Sequence, residues 1–297
     1  MTTLDALARP DGGFAMVAMD QRESLRHMFH LAGHGRPADD VLIDFKTAVA
    51  DVLAPIASAF LADAQFGFDT VRAAVPDSTG LILAVDALDQ ADGGPVEDTD
   101  IDDAAFARVD DGVDAVKLLL IWRRDERREA RVEIAARFIE QARSRGVLSV
   151  LEPVVRAAPS EADFDVDAAI REAARELSPL QPDLYKSQVP LAGAGTPAEQ
   201  RAASAALNAC MSTPWVVLSQ GVERDRFADA VTAACQEGAS GFLAGRALWS
   251  DVVGASDLRG ELARRSADRL RALADVVDRH ARPWRDAVAV PGIGGAA

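Results

Sequence analysis

The sequence predicts a single-domain (β/α)8 (TIM) barrel, on three observations. Eight short runs rich in Val, Ile, Leu and Ala recur along the chain, their starts running from residue 14 to residue 241 with a mean step of about 32 residues. That step fits a strand plus a crossover helix. The runs are near-continuously apolar rather than alternating, as strands of a parallel sheet covered on both faces must be. Finally, 297 residues without a linker-like interruption suit one barrel, since barrels of roughly 250 residues fold as one domain. A doubly wound open sheet is the competing arrangement, but no G-x-G-x-x-G follows the first run to support it.

In chain order the runs are FAMVAMD (from Phe14), SAFLAD (Ser58), GLILAVD (Gly80), DAVKLLLIW (Asp114), VLSVLEPVV (Val147), LYKSQVP (Leu184), WVVLSQG (Trp215) and GFLAGRALW (Gly241). Each is followed by an amphipathic or polar stretch of helical character. Residues 39–54 place Val41, Leu42, Phe45, Val49 and Val52 at helical spacing behind an acidic start, and Lys46 on this helix reads as a solvated surface charge. Residues 127–144 set Ile134, Phe138 and Ile139 among Arg and Glu. Thr196 as N-cap, Pro197 at the first helical position and Glu199 three residues after the cap open a helix ending near Cys210, a capping-box pattern. The acidic loop 89–103 and the tail 291–297 are the flexible-looking pieces, and both read as surface segments. The barrel core is expected over about 12–281.

Composition narrows the function. Acidic residues number 47 against 32 basic, a net charge of −15, which repels a phosphate backbone and argues against a nucleic-acid partner. The first residues lack the basic start and apolar run of a signal peptide, and no apolar stretch approaches the ~18–20 residues a membrane span needs. A cytoplasmic protein without a membrane partner is expected. Cys210 and Cys235 lie in Ala-rich helical segments and read as buried thiols. His27, His30 and His34 cluster after the first run, but no Asp, Glu or Cys spacing completes a zinc site, so no metal and no other cofactor is expected.

Only three of the 32 basic residues are lysine, Lys46, Lys117 and Lys186. In a chain that uses arginine wherever it serves, the remaining lysines are suspects for amine chemistry that arginine cannot do. Barrel active sites lie at the carboxyl ends of the strands. There the first run ends in Asp20-Gln21-Arg22, the second runs into Asp63 and Gln65, and the third ends in Asp86. The fourth holds Lys117, the fifth Glu152 and the sixth Lys186; the seventh ends in Ser219-Gln220-Gly221 and the eighth in Gly245-Arg246. An amine inside an apolar strand costs several kcal/mol to desolvate unless paired or neutral. Two readings follow. Either Glu152 neutralises a buried lysine for structural reasons, or desolvation and a second cation depress one amine enough to attack a carbonyl and form a Schiff base. At the last two strands Ser219, Gly221 and Gly245 allow close backbone approach and Arg246 adds a forked cation, a combination suited to phosphate or sulfonate.

Several segments resemble a known family: GGFAMVAMDQRESLRHMF (12–29), AVKLLLIWRRDE (115–126), LEPVVR (151–156), DLYKSQVP (183–190), WVVLSQGV (215–222) and GASGFLAGRALW (238–249). They are similar to class I aldolases of the tagatose-1,6-bisphosphate aldolase type, and more closely to the 6-deoxy-6-sulfofructose-1-phosphate aldolases of sulfoglycolysis. The likeness spans about residues 12–281. It implies that Lys186 is the Schiff-base residue, Glu152 a general acid/base, Lys117 a charge-tuning partner and Asp20 a positioning group. It also implies a homo-oligomer, dimer or tetramer, acting on a phosphorylated or sulfonated ketose. Gln21 and Arg22 are expected near the second anion, with Asp63 and Gln65 among the substrate contacts. One departure stands out: the family reads Lys-Val-Glu-x-Pro where this chain has Lys186-Ser187-Gln188-Val189-Pro190. Positions 186 and 188 of a strand face the same way, so Gln188 is expected to replace a carboxylate beside the nucleophile. The implied reaction is cleavage of 6-deoxy-6-sulfofructose 1-phosphate to dihydroxyacetone phosphate and 3-sulfolactaldehyde. The alternatives are cleavage of tagatose 1,6-bisphosphate and, from another class, a non-catalytic sugar-phosphate-binding regulator.

Overall fold

The computed structural model describes residues 2–287; the expected flexible tail 291–297 lies outside them. Ten strands form: β1 (Phe14–Met19), β2 (Ala59–Asp63), β3 (Gly80–Ala84), β4 (Asp86–Gln90), β5 (Val96–Ile101), β6 (Ala115–Trp122), β7 (Leu148–Val155), β8 (Leu184–Ser187), β9 (Trp215–Val217) and β10 (Gly241–Ala244). Eight of them close into a barrel in the order β1-β10-β9-β8-β7-β6-β3-β2, every neighbouring pair parallel. These eight are the eight apolar runs, so the fold is the barrel the sequence predicts, and the open sheet is excluded. Among the described residues no helix is long and apolar enough to cross a membrane.

The strand period of two divides the core in two. Phe14, Met16, Ala18, Ala59, Leu61, Ile82, Ala84, Ala115, Leu148, Val150, Leu184, Val216 and Leu243 fill the barrel interior, joined at its base by Leu4 and Leu7. The alternate residues, such as Val17, Phe60, Leu83, Val116, Tyr185 and Phe242, pack outward against the helices. Close packing fixes some positions as glycine. A Cβ on Gly80 would sit 2.3 Å from the Ala6 carbonyl oxygen, so the amino-terminal segment plugs the base only because residue 80 has no side chain.

The helices fall where the periodicity puts them, at Asp39–Leu53, Arg128–Ser144 and Pro197–Asn208, the last with its Thr196–Glu199 capping box formed. Cys210 and Cys235 are free, buried thiols. Two expectations are corrected. Lys46 is not a surface charge: the core-facing stripe of its helix is Leu42, Phe45, Lys46, Val49 and Leu53, while Val41 is exposed. The acidic stretch 89–103 is not a loop either. Asp86–Gln90 and Val96–Ile101 pair as an antiparallel hairpin in place of a long third crossover helix. Its alternating strands, Asp-Ala-Leu-Asp-Gln and Val-Glu-Asp-Thr-Asp-Ile, flank an Ala91-Asp-Gly-Gly94 turn closed by the Gly94 N–H on the Ala91 carbonyl at 2.9 Å, and Asp-Gly is a strong hairpin signal. Asp98 of β5 pairs with Arg131 at 3.3 Å and also with Arg127, fastening the hairpin to the Arg128–Ser144 helix.

Candidate active site

One inward position beyond the last interior apolar residue of each strand, the barrel order reads Asp20, Gly245, Leu218, Lys186, Glu152, Lys117, Asp86 and Asp63. The register of the closed sheet thus places six ionisable groups on one level at the carboxyl end, where barrel enzymes work. Lys117, Lys186 and Lys46 are only 1%, 3% and 1% exposed, so all three lysines of the chain are buried and each needs a partner.

Lys186 Nζ donates to Glu152 Oε2 at 2.9 Å. The same carboxylate oxygen lies 3.4 Å from Lys117 Nζ, which also contacts Asp20 Oδ2 and Asp86 Oδ2, each at 2.6 Å. Burial opposes charge on Lys117, but Asp20, Asp86 and Glu152 outweigh it and hold the amine well above the ordinary lysine range. Burial likewise opposes charge on Asp20, while Lys117, Lys186 and Arg22 hold its carboxyl well below the usual carboxylate range. Asp20 therefore pairs with Lys117 rather than bonding Lys186. Lys117 is a fixed cation at the centre of three carboxylates, and Lys186, with one carboxylate partner, faces the cavity.

That cavity has a volume of about 300 Å³. Asp20, Gln21, Arg22, Lys117, Glu152 and Lys186 line it, together with Ser219, Gly245 and Arg246. A Cβ on Gly245 would lie 2.5 Å from the Ala18 carbonyl oxygen and 3.0 Å from Gln21 Nε2. Gln21 therefore sits on the Arg246 side, not at the opposite end as expected. Arg22 does line the cavity, but its guanidinium is engaged: NH2 donates to Asp86 Oδ1 and NH1 to the Asp86 carbonyl, both at 2.7 Å. Burial works against charge on Arg246, with Glu152 and Asp20 opposing through space. Among the described residues it has no hydrogen-bonded carboxylate, and so is available for an anion.

Four expected substrate contacts lie elsewhere. The Asp63 carboxylate turns over the end of β2 to pair with Lys46 and to accept the Gln65 and Phe66 N–H groups at 3.0 and 2.9 Å. Gln65 is exposed, outside the cavity lining. Gln188 does not stand beside Lys186, because β8 ends at Ser187 and the Gln188 Oε1 accepts the Val155 N–H at 2.7 Å. Gly221 is an exposed turn residue with φ of +81°. Sequence reading gave no role to two residues that line the cavity, Asp86, noted only as a strand end, and Arg156. Asp86 binds Lys117, Arg22 and the Leu119 N–H, a role visible only once β3 is set beside β6. Arg156 follows the last residue of β7.

The site is thus a buried lysine–carboxylate cluster in a barrel, open to a cavity that Arg246 also lines. Residues 14–251 match the DeoC/LacD family aldolase model. The chain belongs to that family and is a class I aldolase, a carbon–carbon lyase. It is 28% identical to the tagatose 1,6-diphosphate aldolase of Listeria monocytogenes, over 95% of this chain and 92% of that protein. It is 27% identical to tagatose 1,6-diphosphate aldolase 2 of Enterococcus faecalis, over 97% and 96%. Among solved structures, fructose-bisphosphate aldolase of Plasmodium falciparum superposes with a TM-score of 0.72 at 14% identity, over 95% of this chain and 94% of that one. An archaeal fructose 1,6-bisphosphate aldolase superposes with a TM-score of 0.63 at 16% identity, over 92% and 97%. At those identities the superpositions speak to the fold.

Proposed function

We propose that the protein is a Schiff-base aldolase that cleaves 6-deoxy-6-sulfofructose 1-phosphate to dihydroxyacetone phosphate and 3-sulfolactaldehyde. The observation that supports this best is the Lys186–Glu152 contact at 2.9 Å beside a lysine held cationic by three carboxylates. The Lys186 amine attacks the C2 ketone, and Glu152 delivers the proton with which the carbinolamine hydroxyl leaves as water. The resulting iminium is the electron sink. Glu152 takes the C4 hydroxyl proton, the C3–C4 bond breaks, and its electron pair passes to C3 as the enamine. Protonation at C3 and hydrolysis then release dihydroxyacetone phosphate and regenerate the amine. Lys117, fixed by Asp20 and Asp86, lies 3.4 Å from Glu152 Oε2 and orients that carboxyl toward Lys186. Arg246, with Ser219 and the Gly245 backbone, holds the phosphate of the substrate.

The choice of sulfonate at C6 follows the motif resemblance in the DQRE and GFLAGRA stretches. Cleavage of tagatose 1,6-bisphosphate is the second reading, favoured by the names of the relatives at 28% and 27% identity. A coupled assay of dihydroxyacetone phosphate release separates the two. The first reading expects the higher kcat/KM on the sulfonated ketose; the opposite order assigns tagatose 1,6-bisphosphate.

A further inference from the structure

Arg156 is an arginine in want of a partner. It directly follows the last residue of β7, four residues beyond Glu152, and lines the same cavity as Lys186 and Arg246. Its Nε is buried without a hydrogen-bond partner. The nearby carboxylate, Glu97, is taken up by Arg123, whose NH2 lies 2.5 Å from Glu97 Oε2 and whose NH1 donates to the Glu97 carbonyl at 2.9 Å. Burial and Arg123 both work against the Arg156 charge, with only Glu97 opposing through space. Hairpin β4–β5 covers this end of the cavity: Gln90 and Val96 line it beside Arg156, and Gln90 Nε2 donates to the Gly94 carbonyl at 2.7 Å to hold the turn.

Arg156 is half-buried, and a nitrogen held from water without a partner is costly in a finished fold; Arg246, also half-buried, lines the same cavity without a hydrogen-bonded carboxylate among the described residues. In the barrel order β8, which carries Lys186, lies between β7, which leads into Arg156, and β10, which leads into Arg246. We propose that Arg156 is a specificity-determining residue that receives a second oxyanion, sulfonate or phosphate, at the end of the ketose remote from the Arg246 phosphate. The inference rests on the imine reading of Lys186. The guanidinium fork matches either oxyanion in a charge-assisted, two-point contact. A ketose with a neutral C6 hydroxyl leaves it without an anion to pair with, which is how a polar site disfavours the wrong substrate.

The test compares wild type, Arg156→Ala and Arg156→Lys on 6-deoxy-6-sulfofructose 1-phosphate, tagatose 1,6-bisphosphate and fructose 1-phosphate. In Arg156→Ala the ratio of kcat/KM for a two-anion ketose to that for fructose 1-phosphate falls about 10- to 150-fold, the scale of a lost charge-assisted contact, and Lys restores part of it. The ketose showing the larger fall identifies the oxyanion. An unchanged ratio, or an equal loss on all three ketoses, overturns the proposal. Borohydride trapping with dihydroxyacetone phosphate keeps the two claims apart. An adduct on Lys186 together with an unchanged ratio sinks only the Arg156 assignment, whereas a wild-type chain that traps none overturns the imine reading and the proposal with it.

Discussion

Replacing Lys117 with Met keeps the stem and removes the charge that Asp20, Asp86 and Glu152 share at 2.6, 2.6 and 3.4 Å. Taking one partner out of a buried ion pair costs about 3–5 kcal/mol, which corresponds to roughly 6–20 °C in melting temperature at about 2–4 °C per kcal/mol. The pH dependence supplies a sharper sign. In the wild type the folded Asp20 pKa lies below its unfolded value of about 3.9. Its contribution is therefore complete above that pH and is lost as pH falls through the lower folded value. Lys117 is raised, so its contribution is complete below about 10.4 and is lost as pH rises through the folded value. Neither group makes wild-type stability change between about pH 5 and 9. In Lys117→Met, burial, the largest influence on Asp20, is opposed only by Lys186 and Arg22, so the folded carboxyl rises and takes up protons on acidification. Guanidinium unfolding at pH 7 and pH 5, with the m-value checked for constancy, should show a deficit of about 3–5 kcal/mol that shrinks at pH 5. A deficit below about 1 kcal/mol, or one that grows on acidification, refutes the charge cluster as described.

Three further outcomes follow from the same geometry. Arg246→Ala should lower kcat/KM about 10- to 150-fold, the ~1.5–3 kcal/mol of a charge-assisted contact, with little change in Tm because no hydrogen-bonded carboxylate is orphaned; a large drop in Tm with normal kinetics would make it a structural residue. Lys46→Met takes the nearer cation from the buried Asp63, leaving Arg22 Nε at 3.9 Å, and should cost about 3–5 kcal/mol in urea unfolding, while kcat/KM per folded protein stays within about threefold; a stability within about 0.5 kcal/mol of wild type would contradict the pairing. Burial pushes the Cys235 thiol up to about 12, so native protein at pH 8 should not be carbamidomethylated there by iodoacetamide. Rapid modification of the folded chain would contradict that burial.

The barrel was legible because a strand covered on both faces has to be apolar throughout, and eight such runs leave little else to build. Lys186, Lys117, Glu152 and Asp20 were legible because they interrupt those runs. The hairpin was not, since its strands face solvent and read as acidic loop, although Asp92-Gly93 between alternating residues was its signal. Lys46 was misplaced by residue type alone: it lies four after Leu42 and three before Val49, on the stripe those residues define. Gln188 was misplaced by carrying strand alternation one residue past the end of β8. Asp86 and Arg156 act through partners or a cavity assembled from distant segments, and no local pattern announces that.

The central claim is that Lys186 is the nucleophile. Borohydride added with dihydroxyacetone phosphate, followed by peptide mapping, tests it most directly. The account predicts a reduced adduct on Lys186, absent from Lys186→Arg, whose guanidinium cannot form the imine. An adduct mapped to Lys117, or full aldol cleavage by Lys186→Arg, would contradict it.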